Sequence, residues 1–304
     1  MKFEPLYIAF CCDNNYVPYL LTAINSICKT NLKHKIVFCI FSSELREENI
    51  IKIKNLIDNA PLYNKECLFF NINNEDTKGI LLDNLDSRIT IATCYRFFVP
   101  YNLRESCKKV LYLDVDLCVC NDIEELFKID LEGNVIGAVN EIVPYCRRLD
   151  INNYFYAGVL LIDVDKWNKE NLTDKCLSEL KRVAYPLADQ DVLNIILKNC
   201  RFILSEKFNY KYNLDSLKNS NYMPPKDVCI IHFLSESKPW CLWTQDFDVV
   251  KEIYNKYLIE DSSILRPKTN TQIRKTIKNA YIAGKYKMCM FWILKYLRMK
   301  ILKR

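Results

Sequence analysis

Residues 109–122 read KVLYLDVDLCVCND, and the fold turns on how that stretch is taken. Val110, Leu111, Tyr112 and Leu113 form an unbroken apolar run, which suits a strand covered on both faces. The run stops at Asp114, and Asp116 follows two residues later. On an extended backbone, residues i and i+2 point to one side, so the two carboxylates leave the end of a core strand together. The carboxyl edge of an open α/β sheet is where such sheets hold their ligands. Adjacent acids repel each other unless a cation lies between them, and hard oxygen donors suit Mg²⁺ or Mn²⁺. On its own, Asp-Val-Asp is equally well read as a strand-end turn with two solvated acids.

Outward from this strand, apolar runs alternate with helical spacings. Residues 6–12 read as a first buried strand ending in the polar turn Asp13-Asn14-Asn15, and 16–29 carry helical spacing through Leu20, Ala23, Ile24 and Ile27. A second strand is expected over 36–41, then a helix over 44–57 capped by Ser42 and Ser43, then a third strand over 68–72. Residues 90–98 look helical and stop at Pro100. Beyond Asp116, strands are expected over 134–140, 158–164 and 228–233, and helices over 165–183, 188–197 and 246–258. The alternation of strand and helix suggests parallel βαβ units.

Composition bounds the alternatives. Half of the 304 residues are apolar, so a sizeable core is available and wholesale disorder is not expected. With five glycines and neither a GxGxxG nor a GxxxxGK[ST] pattern, a dinucleotide fold or P-loop is disfavoured. Fifteen cysteines, an odd number scattered through apolar runs, with no CxxC and two histidines, suggest neither a disulfide framework nor a zinc ribbon. The start, MKFEPLYIAFCC, does not read as a signal peptide, and a reducing cytoplasm is the expected setting.

Four polar clusters lie where strands end or helices begin: Asp13/Asn15, Asp114/Asp116, Asp189/Gln190/Asp191 and His232/Lys238. Each has a plain reading. Asp13 can cap the next helix, the acids at 189 and 191 suit a helix dipole, His232 can be a satisfied core histidine, and Lys238 a snorkelling loop lysine. Together they supply two carboxylates and an imidazole for a divalent metal, a lysine to offset phosphate charge, and an amide–carboxylate pair for sugar hydroxyls. A nucleotide-diphosphate sugar needs those parts, because its leaving group departs only when its charge is stabilised.

The pieces IAFCCDNNY, YRFFVP around Arg96, KVLYLDVD, YFYAGVLLIDVDKW, LADQDVLN and HFLSESKPW occur in this order over about residues 5–243. In that combination the chain resembles the family 8 retaining glycosyltransferases, which include bacterial lipopolysaccharide and lipooligosaccharide galactosyl- and glucosyltransferases. The resemblance implies an α/β fold of the GT-A nucleotide-diphospho-sugar transferase type, Rossmann-like with a mainly parallel sheet, over residues 1–265. It implies Mn²⁺ (or Mg²⁺) held by Asp114, Asp116 and His232. It places the donor against Cys11, Asp13, Asn15, Arg96, Val115, Ala157, Asp189, Ser235 and Lys238, with Asp189 and Gln190 as the catalytic pair. Gln190 would lie on the face of the anomeric carbon opposite the leaving group. The implied reaction moves galactose or glucose from UDP-galactose or UDP-glucose to a glycan or glycolipid acceptor, with no nucleic-acid partner. Two positions depart from the family pattern: Tyr156 stands where Asn is usual, and Ser235 where Gly is usual. Two alternatives stand beside this reading: a haloacid-dehalogenase-type phosphatase, and a catalytically silent sugar-nucleotide-binding or membrane-associated protein.

Residues 266–304 read as a basic amphipathic helical tail. Residues 270–304 hold ten Lys or Arg and no Asp or Glu; without them, 33 basic residues (43 less 10) face 37 acidic ones, and the net charge passes from +6 to −4. Within the tail an apolar run over 288–294, with Phe291 and Trp292, lies among Lys285, Lys287, Lys295 and Arg298. An aromatic patch between cations suits the headgroup layer of an anionic membrane, so peripheral attachment at the inner face of the cell membrane is expected.

Overall fold

The computed structural model describes residues 4–82, 90–141, 151, 153–198, 200–213, 223–234, 238–244, 248–259, 265–282 and 284–301. In chain order, β1 (Leu6–Cys11), α1 (Val17–Thr30), β2 (Lys35–Ser42), α2 (Glu47–Asp58) and β3 (Asn64–Asn71) come first. A 3₁₀ helix, Ile91–Phe98, runs on into α3 (Val99–Asn102). β4 (Lys109–Leu113) and β5 (Leu117–Val119) flank the paired acids, followed by α4 (Glu124–Lys128), β6 (Ile136–Ala138) and β7 (Val159–Asp163). Then come α5 (Val164–Lys169), α6 (Leu172–Arg182), α7 (Ala188–Ile196), β8 (Arg201–Ile203), a 3₁₀ turn at Glu206–Phe208, β9 (Tyr210–Asn213) and β10 (Ile230–Leu234). α8 (Asp248–Asn255), α9 (Asn270–Ile282) and α10 (Tyr286–Ile301) close the chain.

Seven strands form the main sheet in the order β3-β2-β1-β4-β7-β6-β8, with β7 alone running against its neighbours. Side chains alternate between two apolar layers. Ile8, Phe10, Leu111 and Leu113 pack under α1 with Leu20, Ile24 and Ile27. Ala9, Cys11, Val110 and Tyr112 face Trp167, Leu180, Val192 and Leu193 on the other side. Both faces are covered, which is why these strands read as continuous apolar runs, and each such large side chain contributes roughly 1.5–3 kcal/mol by leaving water.

A smaller sheet, β5-β10-β9, stands at the carboxyl end of β4. His232 of β10 lies opposite Leu117 of β5 and beside Lys211 of β9. An aromatic cluster holds this unit to α1, with Tyr19 stacked on Trp240 at 4.1 Å between ring centroids and Trp240 5.3 Å from Tyr254. Among the described cysteines no disulfide forms.

Several elements differ from the sequence-based expectation, each for a local reason. α2 begins at Glu47, not after Ser42-Ser43; Ser42 belongs to β2, and Asn14, from the loop after β1, accepts from Arg46 N (2.8 Å) and Asn49 Nδ2 (2.9 Å) instead. The segment before Pro100 is 3₁₀, and Pro100 does not end it but sits in the first turn of α3, where its missing N–H costs nothing. The expected helix over 165–183 is two helices, broken at Asn171 with φ +51, a conformation Asn tolerates. β3 begins four residues before the expected start, because an edge strand can carry the polar Asn64-Lys65-Glu66. The helix expected over 246–258 is described from Asp248 to Asn255.

The tail folds as a helical hairpin. Gly284, at φ +68, turns the chain, and Lys285 N donates to Ala280 O at 2.8 Å in a Schellman-type closure. Ile273, Thr276, Ala280, Cys289 and Trp292 are buried, and Asn279 Nδ2 donates to Trp243 O at 2.8 Å. Of the two tail aromatics expected at a membrane, Trp292 is turned inward at 3% exposure, whereas Phe291 is 57% exposed.

Candidate active site

The antiparallel β4–β7 pair makes the floor of the site. Leu113 lies opposite Val159, so the chain leaving β4 meets the chain entering β7, and Asp114 N donates to Gly158 O at 2.8 Å. β5 then turns the backbone toward β10, where Phe233 N donates to Asp116 O at 3.0 Å. This crossing brings His232 to the two acids. Its Nε2 lies 3.0 Å from Asp116 Oδ1 and 3.9 Å from Asp114 Oδ2. One donor atom from each of Asp114, Asp116 and His232 lies within 4.8 Å of the other two. Two hard carboxylates and an imidazole at that spacing fit a divalent cation such as Mn²⁺ or Mg²⁺.

Gly158 makes this approach possible. A Cβ there would sit 2.3 Å from His232 Cε1 and 2.7 Å from Asp114 Oδ2. Only a residue without a side chain fits between the two.

Cations surround the acids. Lys238 Nζ donates to Asp116 Oδ2 at 2.7 Å and also to Phe233 O. Burial alone would raise the Asp116 pKa, but Lys238 and His232 together hold it far below the usual carboxylate range. Arg96 is buried: its guanidinium donates to Asp114 Oδ1 (3.0 Å), Ala157 O (2.6 Å) and Thr93 O (3.0 Å), its Nε lies 2.9 Å from Asp189 Oδ2, and it stands over the Tyr112 ring. Burial works against its charge, but Asp114 and Asp189 more than offset this and keep it cationic. The Tyr112 hydroxyl donates to Asp114 Oδ1 at 2.7 Å.

α7 supplies the other side. Ala188, at φ +40, starts the helix in a left-handed conformation that costs about 1–2 kcal/mol and aims the next two side chains. Asp189 is buried; burial, with Asp114 nearby, pushes its pKa up to about 6 despite Arg96. Gln190 is fixed at both ends. Its Oε1 accepts from Ala157 N (3.1 Å), and its Nε2 donates to Tyr154 Oη (3.3 Å) and Glu141 Oε2 (3.5 Å). Asp191 serves the fold, accepting from Tyr154 Oη at 2.5 Å and Leu187 N at 2.9 Å.

The structure thus brings together Asp114, Asp116, His232, Lys238, Arg96, Ala157, Asp189 and Gln190. Cys11, at the end of β1, is close enough for Arg96 and Asp114 to act on its thiol, though burial dominates and pushes its pKa well up. Val115 is buried between the acids. Asp13 and Asn15 lie further along the loop after β1, where Asp13 Oδ1 accepts from Asn15 N (2.7 Å) and Tyr16 N (3.2 Å), an Asx turn that leads into α1. Ser235 lies outside the described residues. Sequence reasoning missed Tyr112, Glu141, Tyr154 and Gly158 as parts of the site. Tyr112 read as strand core, and nothing in its own neighbourhood marked Glu141. Burial pushes the Glu141 pKa up to about 7, although Tyr156, Lys211 and His232 favour its charge. A second His–acid group, His34 with Asp122 and Glu124, has a structural explanation: His34 bonds Asp122, which also accepts from Glu124 N at the start of α4.

Comparison with known proteins matches the model of glycosyl transferase family 8 to residues 7–244. A lipopolysaccharide 1,3-galactosyltransferase of Salmonella typhimurium is 26% identical over 97% of this chain and 91% of its own length. A lipopolysaccharide 1,2-glucosyltransferase of Escherichia coli K12 is 29% identical over 85% of this chain and 79% of its own. Among solved structures, the galactosyltransferase LgtC in complex with donor and acceptor sugar analogs superposes with a TM-score of 0.67 at 24% identity, over 89% of this chain and all of that one. GlyE of Streptococcus pneumoniae gives 0.61 at 24% identity, over 86% and 63%. The shared architecture is the GT-A fold.

Proposed function

This chain belongs to glycosyl transferase family 8, and from that premise we propose that it transfers galactose or glucose from a UDP-sugar to a lipopolysaccharide-type or other surface glycan, with retention of configuration. The observation that carries the proposal is the convergence of Asp114, Asp116 and His232 donor atoms within 4.8 Å, next to Asp189 and Gln190. The names of the two lipopolysaccharide transferases support the hexose and the acceptor class. Family membership sets the phosphatase alternative aside. Metal-dependent release of UDP from UDP-sugars tests the proposal.

In this reading Asp114, Asp116 and His232 would hold Mn²⁺ or Mg²⁺, which when bound neutralises the diphosphate as it departs. Lys238, already on Asp116 at 2.7 Å, supplies a second positive charge on that side. Arg96, in contact with both Asp114 and Asp189, sets these two carboxylates beside the donor. Cys11, Asp13 and Asn15 would bound the uridine side. Asp189 binds sugar hydroxyls. The Gln190 amide, a poor covalent nucleophile held by Ala157 and Tyr154, presents its face to the anomeric carbon. Retention then follows a front-side course, in which the departing diphosphate takes the proton of the incoming hydroxyl.

The tail hairpin we assign to an anionic membrane surface. Tyr286, Met290, Leu294 and Leu297 recur at helical spacing on α10 and are exposed, with Phe291 beside them. Lys285, Lys287, Lys295, Arg298 and Lys300 flank that stripe, so an apolar face and its cations are presented together. No described helix is long and apolar enough to cross a membrane. Each cation near an anionic surface contributes on the order of 1 kcal/mol, enough in sum for reversible attachment.

A further inference from the structure

We propose that Asn209 is a positioning residue for the metal site: its side-chain oxygen fixes His232 as the Nδ1–H tautomer and so turns the Nε2 lone pair toward Asp114 and Asp116. The proposal rests on His232 being a ligand. Asn209 is wholly buried and follows the 3₁₀ turn Glu206–Phe208, its own N–H donating to Glu206 O at 3.1 Å. That turn is anchored by the buried Phe208 and by Cys229 N, just before β10, donating to Lys207 O at 2.8 Å. The amide is therefore held at a fixed place relative to the strand that carries His232.

Asn209 Oδ1 lies 3.0 Å from His232 Nδ1. An amide oxygen pairs with that nitrogen only when the nitrogen carries a proton. In the neutral ring the remaining nitrogen, Nε2, carries the lone pair, and it lies 3.0 Å from Asp116 Oδ1 and 3.9 Å from Asp114 Oδ2. Without a metal, a second proton on Nε2 lets the ring donate to Asp116; a divalent cation among these oxygens takes the place of that proton, and the lone pair then meets the cation. The opposite amide orientation would donate to Nδ1, force the proton onto Nε2 and block ligation. Amide orientation and ligand set stand or fall together.

A second observation separates this role from ordinary packing. Asn209 Nδ2 is buried without a hydrogen-bond partner among the described residues. A buried donor left unpaired is destabilising, a cost that an apolar side chain of the same size would avoid. What the asparagine supplies in return is the contact to His232. Gly158 lies against the same ring, so the imidazole is set in position by one residue and in tautomer by the other.

The chain has two histidines, so full-length protein labelled with [¹⁵N]histidine gives two imidazole spin systems, assigned with His34→Gln. In the Mg²⁺-loaded protein, long-range ¹H–¹⁵N spectra are expected to place the proton of His232 on Nδ1. Calorimetric titration with Mn²⁺ alone is expected to show affinity about 10–100-fold weaker in Asn209→Leu, the usual cost of losing such a partner. Asn209→Asp, which keeps an acceptor oxygen, should stay within a few-fold of wild type and retain the tautomer. A proton on Nε2 in the Mg²⁺-loaded wild-type protein overturns the proposal even if the leucine variant does not fold. So does a leucine variant with wild-type affinity and an unchanged tautomer. If His232→Ala leaves Mn²⁺ affinity intact, the ligand assignment itself fails, and the Asn209 proposal fails with it.

Discussion

A Gly158→Ala substitution would place a methyl group 2.3 Å from His232 Cε1 and 2.7 Å from Asp114 Oδ2, where ordinary contact begins near 3.4 Å. Relief needs a displacement of about an ångström, and neither neighbour is free to give it. Asn209 holds the imidazole at Nδ1, and Tyr112 and Arg96 hold the Asp114 carboxylate. The backbone of residue 158 is tied to Asp114 N. Overpacking of this kind costs about 1–3 kcal/mol of stability. The larger effect falls on the metal, since ligand distances tolerate only about 0.2 Å. Mn²⁺ affinity, followed by the paramagnetic resonance of the free ion, should fall at least tenfold, and a ~1 Å misplacement should lower turnover about 100-fold. Gly158 is not in the left-handed region, so backbone strain does not contribute and the effect isolates the contact. A folded Gly158→Ala protein with wild-type Mn²⁺ affinity and turnover would refute this account of the site.

Glu141, raised by burial from 4.5 to about 7, contributes stability that is complete below pH 4.5 and lost as pH rises through 7, up to roughly 3 kcal/mol. Urea unfolding at several pH values should therefore show a shallower fall with pH over that window in Glu141→Gln than in wild type; equal slopes would contradict it. Gln190→Ala should slow transfer without stopping it, and the product from an α-linked donor should remain α, so a β product by NMR would refute retention. Replacing Met290, Phe291 and Leu294 with glutamate should abolish co-sedimentation with phosphatidylserine vesicles while leaving UDP release unchanged. Undiminished binding, or wild-type binding insensitive to high salt, would remove the membrane role.

What could be read in the sequence were features carried by neighbours along the chain. β1, β2, β4 and β7 are buried on both faces, so burial wrote itself as apolar runs, and Asp114 and Asp116 stood out where one run stopped. The short strands β5, β8 and β9 left little trace, because three or four residues are too few to show a period, even where Cys118 and Tyr212 are buried in the core of the small sheet. The start of α2 was misplaced because its N-terminal groups are satisfied by Asn14, more than thirty residues upstream. The supports of the site were hidden for the same reason. Gly158 matters through a contact with His232, 74 positions away in the chain, and the Tyr112 hydroxyl through the carboxylate it reaches at the strand end. In the tail, charge and aromatic content were plain, but only the hairpin decides that Trp292 turns in and Phe291 out.

The most direct test of the central claim is UDP release from a panel of UDP-sugars, with and without Mn²⁺, by the full-length protein and its Asp116→Asn variant. Many transferases pass sugar slowly to water, so no acceptor need be known. The account predicts Mn²⁺-dependent release from UDP-galactose or UDP-glucose that disappears in excess chelator and in Asp116→Asn, while the variant keeps its fold. Release that persists undiminished in chelator or in that variant, or none from any UDP-sugar with Mn²⁺ present, would contradict it.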